Sequence, residues 1–296
     1  MSIFSENTLN RAGEKGRQWL ESLPNLVNQL AQQWDLADPK PMENLSYNYV
    51  LSAYRGDPPS PVILKIGLEP AEVKQEMAAL QFYQGQGCVK LLETDNDKGA
   101  LLLEAIKPGI TLKTLFPQDD EAAVLIAAQV MKRLHSVPLT NPTAFPALIN
   151  HLESLFKADK NVISEKHLNK AQTLAKNLLD SQAAPVLLHS DLHHDNILSH
   201  ATEGWVAIDP RGVVGEPAFE IGTFIYNPIP DLLAQNNASA IMARRLKLFA
   251  ELLEMDLQRL KNWAYVQAVL SACWDIEEGG SSNDYSIRCG MLIEGL

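Results

Sequence analysis

The most informative stretch of the chain is the polar segment HSDLHHDN at residues 189–196, which lies between short apolar segments. Asp191 and Asn196 are five positions apart in it, and Asp209 follows Asp191 by eighteen positions, at the end of the apolar run WVAI. An Asp and an Asn on one loop can converge with an Asp at a nearby strand end. Phosphoryl transfer from ATP needs such a set, because a carboxylate must orient the attacking hydroxyl and hard oxygen ligands must hold Mg²⁺.

Each of these residues also has a purely structural interpretation. Asp and Asn side chains stabilise turns, and an Asp after an apolar strand often caps a helix. Lys65 ends the apolar segment VILK and could be a surface lysine whose stem lies along apolar neighbours. The combination of Lys65, Asp191, Asn196 and Asp209 among strand-like segments favours the catalytic interpretation.

The same segment supports a second hypothesis, a metal-dependent hydrolase. Its imidazoles and carboxylates are the residue types of a di-zinc site: His189, Asp191, His193, His194 and Asp195. Such sites usually draw further histidines from distant loops, and apart from His200 the remaining histidines lie in helical segments. The hydrolase hypothesis also leaves Lys65 and Asp209 without a role.

The segment has the pattern H-x-D-L-x-x-x-N of the protein-kinase catalytic loop, with Ser190 in place of Arg. LLHSDLHHDNIL, WVAIDP and GVVGEPAFEIG together resemble the aminoglycoside phosphotransferase/choline-kinase group within the protein-kinase-like fold. WDIEEGG at 274–280 is similar to a C-terminal helix motif of its aminoglycoside/hydroxyurea antibiotic-resistance branch, which includes streptomycin phosphotransferase. The resemblance runs from Lys65 to about residue 280. It implies an ATP- and Mg²⁺-dependent phosphotransferase that acts on a hydroxyl of a small molecule.

The resemblance implies a role for each matching residue. Asp191 would be the catalytic base, and Asn196 and Asp209 would bind Mg²⁺. Lys65 would contact the α- and β-phosphates of ATP. Glu76, on the helix that follows, would pair with Lys65, although Glu72 competes with it for that role.

The nucleotide would also contact the first part of the chain. The segment LEAI at 103–106 looks like a kinase hinge, whose backbone groups at Glu104 and Ile106 would hold adenine. No G-x-G-x-x-G precedes Lys65, so the phosphate contacts of the equivalent hairpin at 44–50 would come from Ser46, Tyr47 or backbone amides.

Two positions depart from the family pattern. Ser190 replaces the glycine usual in this branch, and Pro210-Arg211 follows Asp209. We expect both departures to be tolerated, since neither position supplies a required charge.

The acceptor is predicted to be small and cationic. Only six residues separate Asp209 from Glu216, which leaves no activation loop and no platform for a peptide. An acceptor would bind at Asp191 and at Trp274, Glu277 and Glu278, because acidic groups in a partly shielded cleft attract an aminoglycoside-type cation. The alternative is a solvated acidic helix end, and hydroxyurea or another alcohol then becomes the acceptor.

Periodicity predicts an α+β, protein-kinase-like fold with two lobes and a cleft between them. The N-terminal nucleotide-binding lobe would be residues 1–106, with an antiparallel sheet preceded at 7–33 by one amphipathic helix or by a pair of helices that break at Pro24. The C-terminal lobe would be residues 107–296, mainly helical, with helical spacing at segments such as 145–158 and a strand–loop–strand insert at 186–209.

Composition narrows the classes of function. The 296 residues carry 25 Lys and Arg against 36 Asp and Glu, a formal net charge of −11, which disfavours nucleic-acid and membrane-surface partners. Three cysteines are too few for a disulfide framework, and no apolar run has the length of a membrane span. We therefore expect a cytoplasmic enzyme without an evident obligate protein partner. The alternatives are a metabolic small-molecule kinase of the same fold and a non-catalytic kinase-like binding protein.

Overall fold

The computed structural model describes residues 3–43, 45, 48–159, 163–277 and 284–296, and the chain divides into two compact units at residues 109 and 110. In the first unit the elements are α1 (Ile3–Gln33), β1 (Leu36–Pro41), β2 (Tyr49–Arg55), β3 (Ser60–Ile66), α2 (Pro70–Tyr83), β4 (Leu91–Asp95) and β5 (Ala100–Glu104). The predicted α+β fold, with an antiparallel N-terminal sheet and a mainly helical C-terminal part, is confirmed.

The sheet of the first unit has the strand order β1-β2-β3-β5-β4, and every neighbouring pair is antiparallel. The central strand β3 presents Val62, Leu64 and Ile66 to one face, where they are buried against the apolar side chains of α1. Because side chains alternate along a strand, Lys65 faces the opposite side, toward α2. The alternation that builds the core therefore also directs the lysine.

The sequence predicted a break in the first helix at Pro24, but the break in α1 lies at Gly13. Gly13 has φ 50° and ψ −123°, a backbone conformation that glycine adopts and side-chain-bearing residues avoid. Pro24 lies within the helix. Leu23, Val27 and Leu30 around it are buried against the sheet, and this packing offsets the hydrogen bond that proline cannot make.

The second unit begins within β6 (Pro108–Thr111) and is mainly helical. Its helices are α3 (Asp120–His135), α4 (Leu148–His151), α5 (Glu153–Lys157), α6 (Glu165–Asp180), α7 (Gly222–Ile225), α8 (Ala238–Leu253), α9 (Leu257–Glu277) and α10 (Asp284–Glu294). The helix predicted at 145–158 is two short helices, separated at Leu152. None of the described helices combines the length and the apolar character needed to cross a bilayer.

Four short strands interrupt these helices: β7 (Val186–Leu188), β8 (Ile197–His200), β9 (Gly204–Ala207) and β10 (Val213–Gly215). β7 pairs with β10 and β8 pairs with β9, both antiparallel. Antiparallel pairing makes the loop between β7 and β8 and the loop between β9 and β10 neighbours. The fold thereby brings the segment at 189–196 next to the segment at 208–212.

Candidate active site

In the first unit, Lys65 and Glu76 form a buried ion pair. Lys65 is 5% exposed and Glu76 is 9% exposed, and the Lys65 Nζ lies 2.8 Å from the Glu76 Oε1. A charge removed from water needs a partner at this distance, so each side chain fixes the other. The pair holds an ammonium group at a defined point beside β3.

The predicted hinge residues lie at the end of β5. The Glu104 carboxylate accepts a hydrogen bond from the Lys90 amide at 2.8 Å, and the Glu104 amide donates to the Lys90 carbonyl at 3.1 Å. These bonds fasten the end of β5 to residue 90. Ile106 follows two residues later and is half-buried. Ser46 lies outside the described residues.

In the second unit, the loop after β7 carries Asp191 and Asn196. The Asn196 Nδ2 donates to the Asp191 backbone carbonyl at 3.0 Å, so the amide oxygen Oδ1 is left to other ligands. The Asn196 carbonyl accepts from the amide of Ile208, the residue before Asp209, at 3.0 Å. One side-chain-to-backbone bond within the first loop and one backbone–backbone bond between the loops thus join the segments that carry Asp191, Asn196 and Asp209.

His189 connects the same two loops. Its Nε2 donates to the Ile208 carbonyl at 2.7 Å, and its Nδ1 accepts from the Asp191 amide at 3.3 Å. The Arg211 amide donates to the His189 carbonyl at 3.0 Å. Burial lowers the pKa of His189, so its ring is neutral with a proton on Nε2. His189 braces the loops and is not placed to exchange protons.

Glu220 is the residue that sequence reasoning missed. Its buried carboxylate accepts from the backbone amides of His189 at 2.7 Å and Ser190 at 2.8 Å, and the His135 Nε2 lies 3.3 Å away. Burial opposes ionisation, but the bonds from His135 and the His189 amide lower the pKa of Glu220. A glutamate inside the apolar run AFEIGTFI was the available signal, because a buried carboxylate requires several donors.

The loops are held in strained conformations at two positions. Ser190 has φ 61° and Asp209 has φ 60°, in the left-handed region that disfavours residues with a side chain. The Ser190 hydroxyl is buried and has no hydrogen-bond partner among the described residues. Ser190 therefore occupies a position for which glycine is the better residue, although the fold accommodates it.

Arg211, to which the sequence analysis assigned no charge role, contacts the predicted base. The Arg211 Nε and Nη2 each lie 3.2 Å from the Asp191 Oδ2. Burial opposes ionisation of Asp191, yet the charge of the adjacent Arg211 guanidinium lowers the pKa of its carboxyl. The predicted base is therefore an ionised carboxylate in contact with a guanidinium.

Two of the predicted acceptor residues lie on α9. The Arg211 guanidinium lies over the Trp274 ring at 5.8 Å from its centroid. Arg211 therefore contacts both Trp274 and Asp191. Glu277 ends the described part of α9, is exposed, and accepts from the Ser154 hydroxyl at 2.8 Å. Glu278 lies outside the described residues.

The donor set fits Mg²⁺ better than zinc. An amide oxygen at Asn196 and a carboxylate at Asp209 are hard oxygen ligands, and Mg²⁺ in nucleotide sites takes one or two carboxylates plus phosphates and water. Across the described ranges, no three His, Cys, Asp or Glu residues form a metal-binding cluster. Both ring nitrogens of His189 make hydrogen bonds to the loops. His194 is buried, and its ring stacks on Phe224 with the centroids 3.9 Å apart. These contacts do not support the hydrolase hypothesis.

Residues 36–279 match a family described as aminoglycoside/hydroxyurea antibiotic resistance kinase. The chain belongs to this family. It is 30% identical over 282 residues to a streptomycin 6-kinase of Streptomyces glaucescens, covering 92% of this chain and 89% of that one. It is also 30% identical over 280 residues to a hydroxyurea phosphotransferase of Kitasatospora aureofaciens, covering 93% and 79%.

Solved structures agree on the fold of this resistance-kinase family member. The choline kinase LicA from Streptococcus pneumoniae superposes with a TM-score of 0.65 at 16% identity, covering 93% of this chain and 100% of that one. The aminoglycoside phosphotransferase APH(4)-Ia, in a thermostable variant with ADP and hygromycin B, gives a TM-score of 0.65 at 13% identity, covering 90% and 97%. At these identities the likeness establishes the kinase-like fold alone.

We predict that Ser190→Gly stabilises the protein. Glycine relieves the left-handed strain and removes a buried, unpartnered hydroxyl, and these gains exceed the entropy that glycine adds to the unfolded chain. The free energy of unfolding should rise by about 1 kcal/mol, measured by urea denaturation. Ser190→Ala is the control, since it removes the hydroxyl and keeps the strain. A lower stability for Ser190→Gly than for wild type would contradict the strain argument.

We predict that Glu220→Gln destabilises the protein by about 2 kcal/mol or more at neutral pH, because one of two charge-assisted acceptors becomes an NH₂ facing a backbone donor. The pKa of Glu220 is lowered in the folded state, so its contribution is full above the ordinary glutamate pKa and is lost as pH falls through the folded value.

Urea denaturation at neutral and acidic pH measures both effects, and the difference between wild type and Glu220→Gln should shrink in acid. Glu203→Gln is the matched control, because this glutamate is exposed and its replacement should cost within about 0.5 kcal/mol. A difference that grows in acid would show that Glu220 is protonated in the folded protein.

Proposed function

We propose that the chain transfers the γ-phosphoryl group of ATP to a hydroxyl of a small molecule of the aminoglycoside or hydroxyurea class. The observation that carries the proposal is the hydrogen-bonded connection of Asp191, Asn196 and the residue before Asp209 in one pair of loops. A turn-forming or capping role for each residue would not require the two loops that carry them to be joined. The names of the relatives support the same class of reaction for this chain.

The first unit would bind the nucleotide. Lys65 would contact the α- and β-phosphates, and Glu76 would keep its ammonium group in place at 2.8 Å. Backbone groups at Glu104 and Ile106 would hold adenine, with Ser46 as a further phosphate contact. An ATP-dependent enzyme needs the nucleotide supply of the cytoplasm, and we propose that the protein acts there.

Asn196 and Asp209 would hold Mg²⁺ through the amide oxygen and the carboxylate. When bound, Mg²⁺ neutralises charge on the β- and γ-phosphate oxygens. The left-handed backbone conformation of Asp209 sets the direction in which its side chain leaves the main chain. The hydrogen bond from the Asn196 Nδ2 orients the side-chain amide of Asn196. No third carboxylate is needed, because phosphate oxygens and water complete the coordination.

Asp191 would orient the acceptor hydroxyl. A bond forms between the acceptor oxygen and the γ-phosphorus, and the bond from that phosphorus to the bridging oxygen of ADP breaks. The hydroxyl proton passes to the Asp191 carboxylate and then to solvent. The lowered pKa of Asp191 makes it a weak base, so its main contribution is to orient the hydroxyl in a loose transition state.

The acceptor would be cationic. Trp274 lies next to the guanidinium that contacts Asp191, and Glu277 lies three residues later, at the exposed end of α9. Glu278 would add a second carboxylate. Aminoglycosides carry several positive charges, and carboxylates near an aromatic ring attract such groups. The alternative acceptor is a neutral hydroxyl compound, either hydroxyurea or an alcohol, and the two glutamates would then be solvated and would not contact it.

We predict that wild-type protein consumes ATP with at least one member of a panel of streptomycin, other aminoglycosides, hydroxyurea and simple amino alcohols.

Asp191→Ala should lower kcat about 10²–10⁴-fold and leave ATP affinity unchanged, because Asp191 acts on the acceptor and not on the nucleotide. A coupled assay measures kcat, and calorimetry measures affinity. Asp180→Ala, an exposed carboxylate at the end of α6, is the control. Full turnover by Asp191→Ala would exclude it as the base.

We predict that Glu277→Gln or Glu278→Gln raises KM for a cationic acceptor about two- to fivefold with a smaller change in kcat. An exposed ion pair contributes about 0.4–1 kcal/mol, in the ground state and the transition state alike. Added salt should reduce the effect, and KM for neutral hydroxyurea should not change. Glu251→Gln, exposed on α8, is the control. Unchanged KM in both variants would make the acidic segment a solvated helix end.

A further inference from the structure

Arg211 contacts the predicted base in a specific way. Its Nε and Nη2, on one edge of the guanidinium, both lie 3.2 Å from the same carboxylate oxygen, Oδ2 of Asp191. The backbone amide of Arg211 donates to the His189 carbonyl at 3.0 Å, which anchors the residue to the loop it contacts. The guanidinium lies over the Trp274 ring, 5.8 Å from the ring centroid. The side chain is 54% exposed, so these contacts and not burial fix its position.

The second oxygen of the Asp191 carboxylate is differently placed. The His193 Nε2 lies 3.9 Å from Oδ1, which is too long for a hydrogen bond. The Asn196 amide donates to the backbone carbonyl of Asp191 and not to its carboxylate. Within the described residues, Oδ2 is engaged by Arg211 and Oδ1 receives no hydrogen bond.

We propose that Arg211 is a positioning residue of the reaction, which holds Oδ2 of Asp191 so that Oδ1 is presented to the acceptor hydroxyl. The inference rests on the proposed function. A carboxylate rotates about its Cβ–Cγ bond unless one oxygen is fixed, and two donors on one planar edge restrain that rotation more than a single ammonium does. The guanidinium also offsets the negative charge of Asp191 beside the anionic phosphoryl group.

The geometry distinguishes this role from simple binding of ATP or acceptor. Arg211 touches the group that orients the hydroxyl, so its loss should misplace the reacting oxygens rather than weaken binding. Misplacement by about 1 Å costs on the order of a hundredfold in rate. Lysine at this position would keep the charge and lose the planar edge, so it should recover only part of the rate.

The test compares wild type, Arg211→Ala and Arg211→Lys with streptomycin and hydroxyurea as acceptor probes, and with water as acceptor in their absence. We expect Arg211→Ala to lower kcat about ten- to a hundredfold with KM and ATP affinity nearly unchanged. Arg211→Lys should be intermediate, and millimolar guanidinium should restore part of the rate of Arg211→Ala. Arg17→Ala, which removes a more exposed, paired guanidinium on α1, is the control and should behave as wild type.

Three results would overturn the inference. One is wild-type kcat in Arg211→Ala. Another is a lower KM for streptomycin at unchanged kcat, which would make Arg211 an obstacle that the acceptor displaces. The third is a loss of thermal stability or ATP affinity in step with kcat and without guanidinium rescue, which would make its role structural. A wild-type protein that transfers phosphoryl to no member of the full acceptor panel overturns the proposed function itself, and so the two failures are distinguishable.

Discussion

The arrangement of the candidate site depends on one buried carboxylate, that of Glu220. Its two oxygens accept hydrogen bonds from the successive backbone amides of His189 and Ser190, which requires the backbone to turn sharply at that point. Ser190 is left-handed there, and the carbonyl and ring of His189 are then directed at the neighbouring loop. A buried anion is stable only with several donors, so the loop conformation and the ionised state of Glu220 support each other.

Other buried charges join segments far apart in the sequence. The Arg245 Nε lies 3.0 Å from the Asp120 Oδ1 and connects α8 to α3, with both side chains buried. Glu216 accepts from Arg259 at 2.6 and 2.7 Å and from the Trp263 indole, which connects α9 to the segment after β10. Removing one partner of such a pair costs about 3–5 kcal/mol, so each pair specifies which elements meet.

The features that could be predicted from the sequence are those that depend on residue types and spacing within short segments. The order of strand-like and helical segments predicted the antiparallel sheet of the first unit, although β1 was not predicted. The identity and spacing of Asp191, Asn196 and Asp209 indicated a common site because loops at strand ends are neighbours. Arg211 and Glu220 were given no role, because their partners lie 20 and 30 or more residues away and only the tertiary fold selects them. The predicted position of the break in α1 was wrong for two reasons. The helix continues through Pro24 because its neighbours pack against the sheet, and the periodicity of apolar residues does not reveal the non-helical conformation of Gly13.

We propose that Asn196 and Asp209 form, with ATP, a magnesium-dependent phosphoryl-transfer site. Calorimetric titration of ATP into wild type and Asp209→Asn, with and without Mg²⁺, tests it most directly, and asparagine keeps a residue that tolerates the left-handed backbone. The account predicts that Mg²⁺ strengthens ATP binding to the wild type and has little effect on Asp209→Asn. Absence of ATP binding in both conditions, or the full Mg²⁺ effect in Asp209→Asn, would contradict it.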